Sequence, residues 1–163
     1  MEQLQKKVLS ILLADCRTSL ETMAVMTGAS ISEVAEAISD MEKKQIILHY
    51  LPVVNWEKTD HDRVEAMIEV RVTPQRDMGF DAVAKRIYQF DEVKSVYLMS
   101  GSYDLLVLVE AASLKELAFF VSERLSPIEA VTGTQTSFVL KRYKQDGIAF
   151  VDAQADKRMA VSP

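Results

Sequence analysis

Cysteine occurs once in this chain of 163 residues, at Cys16, which excludes an internal disulfide framework and any cysteine-based zinc cluster. Cys16 itself reads as an inert thiol beside the first helix, because nothing around it marks an activated thiolate. Histidine is nearly as scarce, with only His49 and His61 present. No metal-ligand spacing, nucleophile triad, paired catalytic carboxylates or phosphate loop appears. No apolar run approaches the roughly 18 residues of a membrane span, and the polar start Met1-Glu2-Gln3-Leu4-Gln5-Lys6-Lys7 offers no signal-peptide core. The expectation is a soluble, cytoplasmic protein with no membrane partner and no cofactor. Basic charge is also in short supply: the net charge of −5 argues against a chain that coats itself in nucleic acid. Glycine and proline are unremarkable and 48% of residues are apolar, so a folded domain or two small ones is expected rather than disorder.

What the chain does have is periodicity. Leu4, Val8, Ile11 and Leu12 recur at helical spacing and predict an amphipathic helix over residues 2–14. Thr18-Ser19-Leu20-Glu21 has the capping-box form and opens a second helix running to about Met26. Thr27-Gly28-Ala29 supplies a turn. Ser30-Ile31-Ser32-Glu33 repeats the capping box, and Ile31, Val34, Ile38 and Met41 line one face of a third helix ending near Lys44. Three short helices with a Gly-bearing turn between the second and third make a winged-helix-like helix-turn-helix over residues 1–50.

Ile46 to Trp56 reads as an extended hinge strand interrupted at Pro52, and a polar run through Arg63 closes a linker over residues 51–63. From residue 64 to 145 the order becomes strand, helix, strand, strand, helix, strand. Ala66, Ile68, Val70 and Val72 alternate with Met67, Glu69 and Arg71. A helix follows from Gly79 to Phe90, strands from Val93 to Met99 and from Leu105 to Glu110, a helix from Ser113 to Leu125, and a last strand from Thr134 to Lys144. The order βαββαβ is that of a ferredoxin-like α+β sandwich with one open sheet face. Leu105-Leu106-Val107-Leu108-Val109 is apolar on both faces, whereas a strand with one wet face should alternate, so the open face is expected to meet a second copy in an isologous homodimer. Residues 146–163 read as a polar C-terminal tail, a mobile extension or an arm on a neighbour.

The strands around Ser100-Gly101-Ser102-Tyr103-Asp104 carry a resemblance. With the N-terminal helix-turn-helix, the Leu48-His49-Tyr50-Leu51-Pro52-Val53-Val54 stretch and the closing Thr134-Gln135-Thr136-Ser137-Phe138-Val139-Leu140, this turn resembles the Lrp/AsnC (feast/famine) transcription regulators over about residues 4–145. The resemblance implies a homodimer built through the ferredoxin-like domains, often assembled into tetramers or octamers. It also implies an amino acid or related metabolite bound between those domains that alters assembly or DNA affinity. On physical grounds Gly101 allows close backbone approach to a ligand carboxylate, and Asp104 can accept from an ammonium group. The alternative is purely local: Gly101 supplies a positive φ and Asp104 caps the turn. Ser100, Ser102, Thr134 and Thr136 are further candidate ligand contacts, and Tyr103 reads as packing.

The DNA-binding half is where the chain departs from the family. Residues 1–50 hold five Lys/Arg against seven Asp/Glu. Matching Met41-Glu42 to the family's Leu-Glu pair puts Glu36, Ala37, Ser39 and Asp40 where basic residues are common, and acids there repel the phosphate backbone. The remaining candidates are Ser30 and Ser32 at the helix start, Thr18 and Thr27 as donors, and Arg17, Lys43 and Lys44, with Lys6 and Lys7, as flanking cations. Glu33 or Glu36 can in principle accept from cytosine amino groups. The resulting expectation is a sequence-specific, ligand-modulated transcription regulator. The alternative is a metabolite-sensing or paralogue-modulating protein of the same fold without direct DNA binding. An enzyme such as the Lrp-like sirohaem decarboxylases would gather histidines and arginines around a tetrapyrrole, and this chain does not.

Overall fold

The computed structural model describes residues 1–60, 63–73 and 79–150, and its chain divides into two compact units between Pro52 and Val53. In the first unit α1 (Gln3–Ala14), α2 (Leu20–Thr27) and α3 (Ile31–Lys43) close on a small core of Val8, Leu12, Met23, Ala24, Val34 and Met41. Leu4, Ile11 and Ile38 pack against it from the rim, as the periodicity requires, whereas Ile31 is exposed. Ile31 is the first residue of α3, ahead of the turn whose inner face meets the core. Gln5 is buried, and its amide donates to the Asp40 carboxylate at 2.7 Å, a polar tie between α1 and α3.

Local chemistry sets the helix ends. The α2 cap is Ser19, whose hydroxyl accepts from the Thr22 amide. Thr18 instead donates to the Asp15 carbonyl, so the cap falls one residue later, on Ser19, and the expected box between Thr18 and Glu21 does not form. Gly28 ends α2 at φ 75°, a left-handed conformation that an L side chain adopts only at a cost, which makes the turn into α3 tight. Beyond α3, Gln45 takes φ 55°, and the amides of Ile46 and Ile47 fold back onto the Met41 carbonyl. The expected hinge strand and wing do not form within the single chain. Residues 46–55 pair with no strand among the described residues, and Trp56–Lys58 is one 3-10 turn.

The second unit is a four-stranded antiparallel sheet in the order β2-β3-β1-β4, formed by β1 (Val64–Val72), β2 (Val93–Leu98), β3 (Leu105–Ala111) and β4 (Val131–Phe138). Both α4 (Phe80–Ile87) and α5 (Leu114–Phe120, continued by a π turn Val121–Leu125) pack on one face. Alternation in β1 is complete: Ala66, Ile68, Val70 and Val72 meet Val83, Ile87, Leu117 and Phe120 in the core. In α5 Ser113 accepts from the Glu116 amide as expected, while the Glu116 carboxylate takes the Ala112 amide.

β4 begins three residues before the expected start and stops at Phe138, so Lys144 is not its end. Lys144–Gln145 (β5) and Ile148–Ala149 (β6) form a separate two-residue hairpin, with Asp146 and Gly147 at φ 48° and 84°. Asp-Gly is the preferred pair for a hairpin turn that needs two positive φ angles, so part of the expected tail is folded. Residues 151–163, together with His61 and Asp62, lie outside the described residues.

Candidate functional site

Across the sheet, paired residues share a face. The row Leu98–Leu105–Val70–Thr134 and the next row Val96–Val107–Ile68–Thr136 lie on the helix-covered side. Tyr97–Leu106–Glu69–Gln135 and Ser95–Leu108–Met67–Ser137 form the open side. The apolar residues that broke the alternation of β3, Leu106 and Leu108, therefore stand beside Tyr97 and Met67 on an uncovered surface.

The turn between β2 and β3 is held at the end of β1. The Asp104 amide donates to the Val70 carbonyl at 3.0 Å, and the Asp104 carbonyl accepts from the Met99 amide at 2.8 Å. Asp104 Oδ2 accepts from the Val72 amide at 2.7 Å. Val72 is buried and sits where β1 and β4 lose register, so this carboxylate satisfies a donor beside a bulge. Ser100, Gly101 and Ser102 are exposed on the turn that Asp104 anchors.

Gly101 departs from the local alternative. Its φ lies outside the left-handed region, and a Cβ built on it meets nothing within 4 Å. Among the described residues nothing requires a glycine there. Thr134 and Thr136 are not brought to the turn: they belong to β4, with β1 between β4 and β3, and Thr134 is separated from Leu105 by two strand spacings, about 10 Å.

On the first unit, α3 buries Val34, Ala37 and Met41, with Ile38 packed against the same core. At about 100° per residue the direction opposite that core holds Ser32, Glu36, Ser39 and Lys43, one stripe roughly 16 Å long. Several expected DNA contacts are already committed within the chain. The Glu33 carboxylate accepts from both the amide and the hydroxyl of Ser30 at 2.7 Å, while the Ser30 hydroxyl accepts from the Glu33 amide. Those bonds, the amide first, hold the Glu33 carboxyl below its usual range. Thr27 donates to the Met23 carbonyl, and Ser32 donates to Glu36 Oε1 at 3.4 Å. Lys44 lies 2.7 Å from Asp40, which lowers the pKa of the acid and raises that of the amine. Ala37 is in the core and faces no partner. Arg17 and Lys43 are exposed.

One further cluster had no sequence signal. Arg63 stacks over Trp56 at 4.4 Å and pairs with Glu110, and Arg142 pairs with Glu65, beside a cavity of about 270 Å3. The Val139 amide donates to the Glu65 carbonyl, so this group fastens the chain after β4 to the start of β1. Each guanidinium faces a carboxylate, a balanced structural arrangement. The partners are separated by 47 and 77 residues, which no short pattern announces.

Residues 65–149 match the family model described as the Lrp/AsnC ligand binding domain. The whole chain is 48% identical over 160 residues to YugG, an uncharacterized HTH-type transcriptional regulator of Bacillus subtilis, covering 98% of this chain and 96% of that one. The chain belongs to the Lrp/AsnC family of transcription regulators. Two solved structures share the fold. A Neisseria meningitidis transcriptional regulator in complex with L-methionine superposes with a TM-score of 0.71 at 22% identity, covering 89% of this chain and 93% of that one. A Mycobacterium tuberculosis feast or famine regulatory protein complexed with L-methionine gives 0.72 at 23%, covering 89% and 95%. Membership makes this Lrp/AsnC chain an HTH-type transcription regulator, and the family is not one of enzymes. Among the described residues no helix is long and apolar enough to cross a membrane.

Proposed function

We propose that this regulator is a cytoplasmic protein that responds to an amino acid received at the Ser100–Asp104 turn and reports it through DNA contacts of α3. The observation that carries the reading is Gly101. Its backbone conformation suits any residue and no described residue beyond its chain neighbours comes within 4 Å of a Cβ built on it, so we read the glycine as serving something that approaches from outside the chain. A ligand carboxylate meeting exposed backbone amides is the simplest such visitor. The methionine complexes of two relatives of the same fold agree in chemical class. Ser100 and Ser102 flank the approach, and Asp104 holds the turn in shape and presents negative charge to an ammonium group. Thr134 and Thr136 join the site only from another copy.

The open face with Tyr97, Leu106, Leu108 and Met67 pairs with its own equivalent in a homodimer. Further association into tetramers or octamers would bring separate turns together. Arg17 and Lys43 supply phosphate contacts and Ser32 and Glu36 face the groove, whereas Ser30, Glu33, Thr18 and Thr27 shape the helices. With a single cation on the outward stripe, the alternative is a sensor of the same fold that works without touching DNA.

The test is calorimetric titration of the full chain with the twenty amino acids, L-methionine first, run beside Gly101→Ala. The reading expects saturable binding by the natural chain and its loss in the variant at unchanged thermal stability. Equal binding by both would remove the turn as the site.

A further inference from the structure

We infer that Glu36 reads a cytosine, through its exocyclic amino group, in each half-site, with Ser32 as the residue that positions its carboxylate. The inference rests on the reading that α3 enters the major groove. Of the acids that line α3, three are otherwise engaged or turned aside. Glu33 is locked in the capping box by two bonds to Ser30. Asp40 is held by Lys44 and Gln5. Glu42 accepts from the Tyr50 hydroxyl at 3.0 Å. Glu36 alone lies on the outward stripe, one turn from Ser32, whose hydroxyl donates to it.

Placement on a recognition helix settles what that carboxylate meets. The N-terminal half of such a helix faces base edges, while the phosphates lie toward the groove walls. A carboxylate there has no donor to accept from except an amino group, and opposite a cytosine the N4 amino group is presented in the major groove. Facing a guanine it would oppose the O6 and N7 acceptors, facing a thymine the O4 acceptor, and facing an adenine the N7 acceptor that stands beside the N6 amino group and repels the second carboxylate oxygen. The same residue therefore selects cytosine and rejects its alternatives, while the negative charge weakens attachment to DNA in general. A protein with few cations on this face gains discrimination from repulsion, a trade of overall affinity for specificity.

The experiment selects sites from a random duplex library with the full natural chain, then measures anisotropy on the selected duplex and single-base variants for both the natural chain and Glu36→Gln. Each variant duplex is repeated with the 4-amino group of the cytosine deleted, using a 2-pyrimidinone nucleoside. The inference expects one cytosine position per half-site at which the natural chain discriminates roughly 5- to 150-fold. Deleting the amino group abolishes that preference, and Glu36→Gln is indifferent to the deletion. Ser32→Ala lowers the ratio without removing it. If Glu36→Gln tightens binding to every duplex by one factor and leaves the cytosine preference intact, Glu36 only repels phosphates and the inference is overturned. If neither protein binds any duplex at about 50 mM salt, the DNA-contact reading itself fails and takes this one with it. Circular dichroism of Glu36→Gln, an exposed substitution, confirms that the helices are unchanged.

Discussion

Replacing Asp104 separates anchoring from ligand recognition, and its cost follows from one bond. The carboxylate accepts from the amide of Val72, a buried residue, at 2.7 Å. In Asp104→Ala that amide loses its acceptor beside a bulge that offers no replacement. A stranded donor costs about 1–3 kcal/mol, and the half-exposed setting of Asp104 places the value near 1–2 kcal/mol. For a unit of roughly this size the midpoint falls by about 5–10 °C. Asp104→Asn keeps a carbonyl oxygen at the same reach and loses only the charge-assisted part, so it stays within about 1 kcal/mol of the natural chain. The single tryptophan, Trp56, lies in the same unit and reports its unfolding by fluorescence in urea. An Ala variant unchanged in midpoint, or an Asn variant as damaged as Ala, would refute the anchoring role. An Asn variant that folds normally and loses its amino acid response would show that the charge also serves the ligand.

Three further outcomes follow from the same geometry. Gln45→Gly, at a φ of 55° that favours glycine, should raise the stability of the helical unit by about 0.5–1 kcal/mol in urea melts followed at 222 nm. The carboxyls of Glu21, Glu33 and Asp40 are lowered, by the Glu21 backbone amide, the Ser30 amide and the Lys44 ammonium respectively. Their stabilisation is complete above the ordinary carboxylate range, about pH 4, and is lost as pH falls through their lowered folded values. Helical melts from pH 7 to 2 should thus be flat and then drop, with a shallower drop in a Glu33→Gln, Asp40→Asn double variant. Leu108→Asp, which puts a carboxylate in the middle of the open face proposed to pair with a second copy, should weaken that association by about 3–5 kcal/mol. Light scattering at micromolar concentration should then report a monomer, and an unchanged mass would exclude the open face as the interface.

Much of this architecture was legible before any coordinates. β1 alternates strictly because one of its faces is core. The third helix declares itself through Ser30 and Glu33, a pair whose two bonds form within four residues. The turn Ser100–Asp104 stands out as polar residues between two apolar runs. What could not be read depends on distant partners. Thr134-Gln135-Thr136-Ser137 has too little contrast in polarity to show that the threonines face the helices, a fact fixed by register with Ile68 and Val70. Whether Ser19 or Thr18 caps α2 is decided by Asp15, whose carbonyl takes the threonine hydroxyl. The role of Asp104 depends on Val72, 32 residues earlier. Asp146-Gly147, by contrast, is a legible hairpin signal, hidden only by the polar composition around it.

The most direct test of the account is anisotropy of the full chain on its own upstream DNA and a scrambled control, from about 50 to 200 mM salt, with and without the amino acid that binds in calorimetry. With Arg17 and Lys43 from each of two subunits as phosphate contacts, the logarithmic salt slope should be about −4, well below that of cation-rich regulators. The account predicts selective binding of the upstream duplex and a shift in affinity when the amino acid is added, abolished in Gly101→Ala. Selective binding that ignores every amino acid, or an amino acid response that survives in Gly101→Ala, would contradict it.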